Sequence, residues 1–316
     1  MLVLTRSEVE ELLDLDALVD ALAAAHAELS AGSASQPPRV AALAGDGLLG
    51  AMPAFLPSAG LGCKLVTLFP HNRDRPTHQA AIALFDPATG TPAALMDGTY
   101  VTATRTAAAS ALAARLLARP DARVLAVLGT GVQARSHARA LAGVRDWEEV
   151  RVAGRDPAKA ARLAEELGAV AAPSFEEAVR GADVVAATTH SPEPVVRAEW
   201  VSPGTHVGSV GHNAQGSELD AELVRLAGVV AVEDRVSALA PPPAGAPELA
   251  GLDGAAVVEL GELVAGTRAG RTSAGEITLY KSVGVAVQDL TAAALVLAAA
   301  RERGVGFQLE LEEIPG

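Results

Sequence analysis

Arg123-Val-Leu-Ala-Val-Leu128-Gly129-Thr130-Gly131-Val132-Gln133-Ala134 is an apolar run that breaks on two glycines and resumes with helical spacing to about residue 142. A strand that ends in Gly-x-Gly-x-x-Ala and reopens as a helix is the turn that holds a dinucleotide. The first glycine makes the tight bend, the second lets backbone approach the pyrophosphate, and Ala134 lets helix and strand pack closely. The first N–H groups of the helix then face the anion. Downstream the rhythm alternates: strands over 149–153, 183–188, 205–209 and 229–233, with helices over 156–167, 175–180 and 218–226 between them. Alternation of this kind predicts an α/β Rossmann domain, a parallel sheet with helices on both faces. Thr188, ending the strand at 183–188, joins the loop from Gly129 to Ala134 as an expected contact to a nicotinamide dinucleotide.

The end of the second strand selects the cofactor. An acid there would bond the ribose 2′-hydroxyl and repel a 2′-phosphate. This chain has Gly154-Arg155-Asp156, with Lys159 one helical turn on. Arg155 and Lys159 suit a 2′-phosphate, so NADP(H) is favoured over NAD(H); Asp156 would serve an NAD ribose if the loop shifts by one residue.

Upstream the pattern differs. Residues 7–32 read as one helix, and short apolar runs from 40 to 96 read as strands, with a hairpin formed by 78–85 and 91–96. Residues 99–119 read as an Ala/Leu helix stopped by Pro120. The expected division is a substrate-binding and dimerisation domain of α+β type over 1–120 with 298–316, and the dinucleotide domain over 121–297. Residues 238–254, rich in Pro and Gly, read as a surface loop, and 283–303 as a last long helix returning to the N-terminal domain.

Half of the 316 residues are hydrophobic and 3% are aromatic, and the net charge is −13. That charge repels nucleic acid and anionic membranes, and no apolar run approaches the length needed to span a bilayer. The single cysteine, Cys63, permits no internal disulfide, and the N-terminus does not read as a signal peptide. A cytoplasmic protein with no metal site is expected. Only three of the 25 basic residues are lysine (Lys64, Lys159 and Lys281), so a retained lysine is a sign that an ammonium is needed.

Three cations lie in apolar or proline-bounded surroundings: Arg39 after Pro37-Pro38, Lys64 within Gly62-Cys63-Lys64-Leu65-Val66, and Arg105 within Thr102-Ala-Thr-Arg105-Thr-Ala-Ala-Ala-Ser110. A charge among apolar neighbours is costly unless paired or functional. Together they would bind a substrate carboxylate; singly, each would serve as partner to a buried acid.

The chain resembles the ornithine cyclodeaminase/mu-crystallin family over nearly its whole length. The likeness rests on Pro37-Pro-Arg39, Cys63-Lys64-Leu-Val, Pro76-Thr-His-Gln79, Asp97-Gly98, Arg105-Thr-Ala-Ala-Ala-Ser110, the dinucleotide loop, Glu276-Ile-Thr-Leu-Tyr-Lys281-Ser-Val-Gly284 and Gln288-Asp289-Leu. The resemblance implies a two-domain homodimer, with Arg39, Lys64 and Arg105 as carboxylate-binding and proton-handling cations. It also places Gln79 near a polar substrate contact and Lys281 beside the cofactor. Cyclodeaminases of the family carry an aspartate shortly before Glu-Leu-Asp. Here, alignment on Glu218-Leu-Asp220 puts His212 at that place, unless the loop is shifted and His212 only packs or caps. An imidazole holds a second ammonium poorly and suits an imine that needs a proton. The expectation is an NAD(P)H-dependent reductase of small cyclic imino acids such as Δ1-pyrroline-2-carboxylate, with Lys64 as proton donor and His212 sharing that duty. Ornithine cyclodeamination, an alanine dehydrogenase-like activity and a non-catalytic crystallin-like role are the alternatives.

Overall fold

In the computed structural model the chain packs into two units, residues 1–105 with 285–316, and residues 106–284. The structure describes residues 1–211, 216–241 and 244–311.

The first unit opens with β1 (Leu2–Leu4), α1 (Arg6–Leu12) and α2 (Leu15–Ser30). The expected single helix over 7–32 is two helices. Leu13 is extended, and Asp14 then caps α2 by accepting from the Ala17 N–H at 2.8 Å, so the chain restarts there. Four antiparallel strands follow, β2 (Val40–Ala44), β3 (Gly47–Leu56), β4 (Gly60–Leu68) and β5 (His78–Phe85), then β6 (Pro92–Asp97), which pairs antiparallel with β5 and parallel with β1. The side-chain period of two puts Met52, Lys64, Ile82 and Met96 on one rung across four strands, all buried. Lys64 is thus the one polar residue of an apolar ladder.

From β6 the chain enters α3 (Gly98–Leu117), whose first turns belong to this unit and whose remainder, from Thr106, belongs to the next. The second unit continues with β7 (Val124–Leu128), α4 (Val132–Ala142), β8 (Glu149–Ala153), α5 (Pro157–Leu167), β9 (Val170–Ala171), α6 (Phe175–Val179), β10 (Val184–Ala187), β11 (His206–Ser209), α7 (Ala221–Leu226), β12 (Val229–Val232), α8 (Arg235–Ala238), β13 (Val257–Glu259), α9 (Leu260–Ala265) and β14 (Thr278–Lys281). Its eight strands are all parallel, in the order β13-β12-β14-β11-β10-β7-β8-β9. Strands such as Val-Leu-Ala-Val-Leu and Val-Val-Ala-Ala are apolar throughout because both faces are covered. The order reverses at β7, with β8 on one side and β10 on the other, which opens the crevice where doubly wound sheets take ligands.

Two domain boundaries differ from expectation. The first falls inside α3 after Arg105 rather than at Pro120, because a proline ends the helix but does not decide what its earlier turns pack against. The second falls at Gly284, so that α10 (Ala286–Arg303) lies whole in the first unit, packed on α2, β3, β4 and β5, before the short β15 (Phe307–Gln308). The stretch expected as a surface loop also reaches inward after residue 244: Ala246 and Leu249 are buried, and Glu248 meets Lys281 at 2.8 Å.

Candidate active site

The first unit carries a buried ionic cluster. Lys64 on β4 meets the Asp289 carboxylate at 2.7 Å, and the Arg105 Nε donates to the same carboxylate at 3.0 Å. Asp289 comes from the first turn of α10, so sheet, α3 and α10 converge on one carboxylate. Arg105 Nη1 donates to Gln288 Oε1 at 2.7 Å, and Gln288 Nε2 sits 3.1 Å from His26 Nε2 of α2. Asp289, Gln288 and His26 are wholly buried. Burying a lone charge is costly; two cations around one acid solve the problem for the acid and leave positive charge over.

Burial and the surplus positive charge both disfavour a proton on Lys64. Burial pushes the Lys64 ammonium down to about 8, with the Arg105 and Arg39 charges adding to the fall and Asp289 opposing it. Burial would raise the Asp289 carboxyl, but Arg105 and Lys64 outweigh it and hold it below the usual carboxylate range. Lys64 therefore carries a proton at neutral pH that it can surrender.

Of the expected residues, Lys64 and Arg105 come together as anticipated, and Arg39 stands exposed just before β2, near enough for its charge to act on Lys64. Arg105 is less of a two-pronged clamp than expected. Its Nε and Nη1 are committed to Asp289 and Gln288, which leaves Nη2 for a ligand. Gln79 does not join the cluster: it pairs with Thr67 on the opposite face of the sheet from Lys64. Its neighbour His78 shares the Lys64 face. Burial, then the positive charges of Lys64 and Arg105, lower His78 to about 4, so it stays neutral. Sequence reasoning gave no role to Asp289, Gln288, His26 or His78, although Gln288-Asp289 and His78 stand in stretches that carry the family likeness. For the first two a signal existed: a polar pair ahead of the mostly apolar stretch from Leu290 to Ala300, the same anomaly that singled out Lys64.

In the second unit the loop after β7 has the shape a dinucleotide needs. Gly129 has φ of +126°, and a Cβ there would fall 2.6 Å from the Thr188 hydroxyl, which itself donates to the Leu128 carbonyl at 2.8 Å. A Cβ on Gly154 would fall 2.6 Å from Thr130. Gly131, by contrast, faces open space, α4 begins there without a side-chain cap, and Val132 is exposed. Ala134 is buried against the sheet. The Gln133 Oε1 is buried with no hydrogen-bond partner among the described residues. Open space before uncapped N–H groups fits a pyrophosphate. Asp156 is occupied: its carboxylate caps α5, accepting from the Ala158 and Lys159 N–H groups. Arg155 and Lys159 are exposed and no acid pairs with either among the described residues.

Lys281, expected beside the cofactor, is buried. It pairs with Glu248, and its Nζ donates to Ser209 Oγ at 3.1 Å and to the Gly211 carbonyl at 2.5 Å. These contacts tie it to the loop after β11. Glu218 holds the same loop, accepting from the Thr189 N–H and hydroxyl, Ser209 Oγ and the Gly211 N–H. His212 follows directly and lies outside the described residues. No group of metal-ligating side chains occurs among the described residues, and no helix of theirs is long and apolar enough to cross a membrane.

Comparison with known proteins identifies a family for the chain. The sequence profile of the ornithine cyclodeaminase/mu-crystallin family matches residues 1–304. The ketimine reductase mu-crystallin of Mus musculus is 42% identical over 79% of this chain and 80% of its own. The Δ1-pyrroline-2-carboxylate reductase of Thermococcus litoralis, solved in complex with NADH and L-proline, superposes with a TM-score of 0.91 at 35% identity, covering 98% of this chain and 100% of that one. An archaeal alanine dehydrogenase dimer with bound NAD superposes with a TM-score of 0.89, also at 35% identity, over 99% of both chains.

Proposed function

The chain belongs to the ornithine cyclodeaminase/mu-crystallin family and is an NAD(P)-dependent oxidoreductase, and on that premise we propose that it reduces a small cyclic α-imino acid to the amino acid. One observation carries the reading: two buried cations share a single carboxylate, and the second of them, Lys64, holds its proton only up to about pH 8. A permanent clamp needs no such weakened acid; a proton donor does.

The substrate carboxylate is bound by Arg39 and by the Nη2 of Arg105. Lys64 Nζ gives a proton to the imine nitrogen, and the resulting iminium carbon is electrophilic. Asp289 keeps Lys64 charged until that moment and orients both cations. When bound, the nicotinamide supplies the hydride equivalent that completes the C–H bond. Gly129, Gly131 and the first-turn N–H groups of α4 hold its pyrophosphate, and Thr188 and Thr130 shape the loop. NADP(H) is preferred through Arg155, since Asp156 is engaged as a helix cap; the two solved relatives carry NADH or NAD, so this preference would be the chain's own. The protein works as a homodimer. The sheet face opposite Lys64 exposes Val40, Leu49 and Leu65, with Gln79 among them, and an apolar face of that kind is covered by a second copy.

The test is NADPH oxidation with Δ1-pyrroline-2-carboxylate, Δ1-piperideine-2-carboxylate, and pyruvate with ammonia or methylamine. A cyclic imine should be consumed fastest, and Arg105→Ala should abolish turnover with NADPH binding intact. Formation of proline and ammonia from ornithine with catalytic NAD⁺ would overturn the choice of reaction.

A further inference from the structure

One buried titratable side chain of the dinucleotide-binding unit has no part in the reaction just described. His137 lies on α4, one turn after Gln133, and is buried together with Ser110 of α3. Its Nδ1 is 2.8 Å from the Gln133 carbonyl and its Nε2 is 2.9 Å from Ser110 Oγ.

The protons can be placed from these contacts. A carbonyl only accepts, so Nδ1 carries the ring proton. Burial pushes His137 down to about 4, so the ring is neutral at working pH and Nε2 can only accept. Ser110 has one hydroxyl proton and a rival acceptor, the Thr106 carbonyl at 3.2 Å. The imidazole is closer and has no other donor, so it takes the proton. The result is a directional chain, from Ser110 O–H to His137 Nε2 and from His137 Nδ1–H to the Gln133 carbonyl.

That chain ends where α4 lacks support. Helix N-termini fray unless a side chain caps them. α4 has no such cap, because its N-cap is Gly131, whose bare Cα leaves room for the pyrophosphate. We propose that Ser110 and His137 are positioning residues for the dinucleotide. From the buried side they fix the Gln133 peptide, and with it the first-turn N–H groups, in the orientation that meets the pyrophosphate. The proposal rests on the reading of this loop as the dinucleotide site.

Calorimetric titration with ADP-ribose, which has the pyrophosphate and no nicotinamide, tests it on the apoprotein at a temperature where all variants are folded. Ser110→Ala should weaken ADP-ribose and NADPH by a common factor of about five to ten, the size of one hydrogen bond. Ser110→Thr, which keeps the hydroxyl, should restore binding. In turnover, KM for the dinucleotide should rise while kcat and the imine KM stay within about twofold. His137→Phe should weaken ADP-ribose at least as much as Ser110→Ala. If both variants lower the melting temperature yet bind ADP-ribose as the wild type does, the pair is only structural and the proposal fails. If the wild type itself does not bind ADP-ribose, the dinucleotide reading falls, and the proposal with it.

Discussion

Asp289→Asn is nearly isosteric and removes one charge from the centre of the cluster. At 2.7 Å from Lys64 Nζ, the bare Coulomb attraction at an effective dielectric of about 20 is about 6 kcal/mol. Entering water and a moving side chain recover much of that, and an opposite charge at this range shifts a pKa by about one to three units. Taking two units, about 2.7 kcal/mol, Lys64 should fall from about 8 to about 6. If Lys64 is the acid, the descending limb of kcat/KM for imine reduction should move down by the same amount. Stability follows with a definite sign. Asp289 stabilises the charged lysine, so the Lys64 part of its contribution is complete below about pH 6 and is lost as pH rises through about 8. Urea unfolding should therefore show a penalty for Asp289→Asn that is about 1.4 kcal/mol greater at pH 7 than at pH 9; the part owed to Arg105 is constant across this range. A descending limb that stays within about 0.3 unit of the wild type would refute Lys64 as the proton donor.

Three further outcomes follow from the geometry. Arg155→Ser should raise KM for NADPH by about tenfold and leave that for NADH within about twofold, the loss of one charge-assisted contact; equal effects on both would remove the case for NADP(H). Gly129→Ala should abolish calorimetric binding of ADP-ribose, because φ of +126° and the Thr188 hydroxyl at 2.6 Å leave no place for a methyl group. Leu65→Glu, on the exposed apolar sheet face, should convert the proposed homodimer to a monomer in light scattering; a monomeric wild type, or an unchanged mass in the variant, would overturn this face as the dimer contact.

What the sequence made legible was local. The loop from Gly129 to Ala134 could be read because a strand, two glycines and a helix start are neighbours in the chain, whereas Asp156, expected as a possible ribose partner, is the cap of α5. Lys64 and Arg105 were visible as charges in apolar company. Their partner was not, since Asp289 lies 184 positions from Arg105 and meets it only because α10 folds back on β4. Gln79 was expected near the substrate and His78 was not, a difference of one residue that decides the face of the sheet, and only the pairing of Leu68 with His78 settles it. The scarcity of lysine drew notice to Lys281, but its partners Glu248, Ser209 and Gly211 could not be read from the sequence. Glu248 sits in a Pro/Gly-rich stretch whose composition gave no hint of burial.

The most direct test of the account follows the hydrogen atoms. Δ1-pyrroline-2-carboxylate incubated with NADPH deuterated at the transferring position should give proline with one deuterium at Cα and none elsewhere, and the Lys64→Met variant should form it at a small fraction of the rate. Proline without deuterium, or wild-type rates in Lys64→Met, would contradict it.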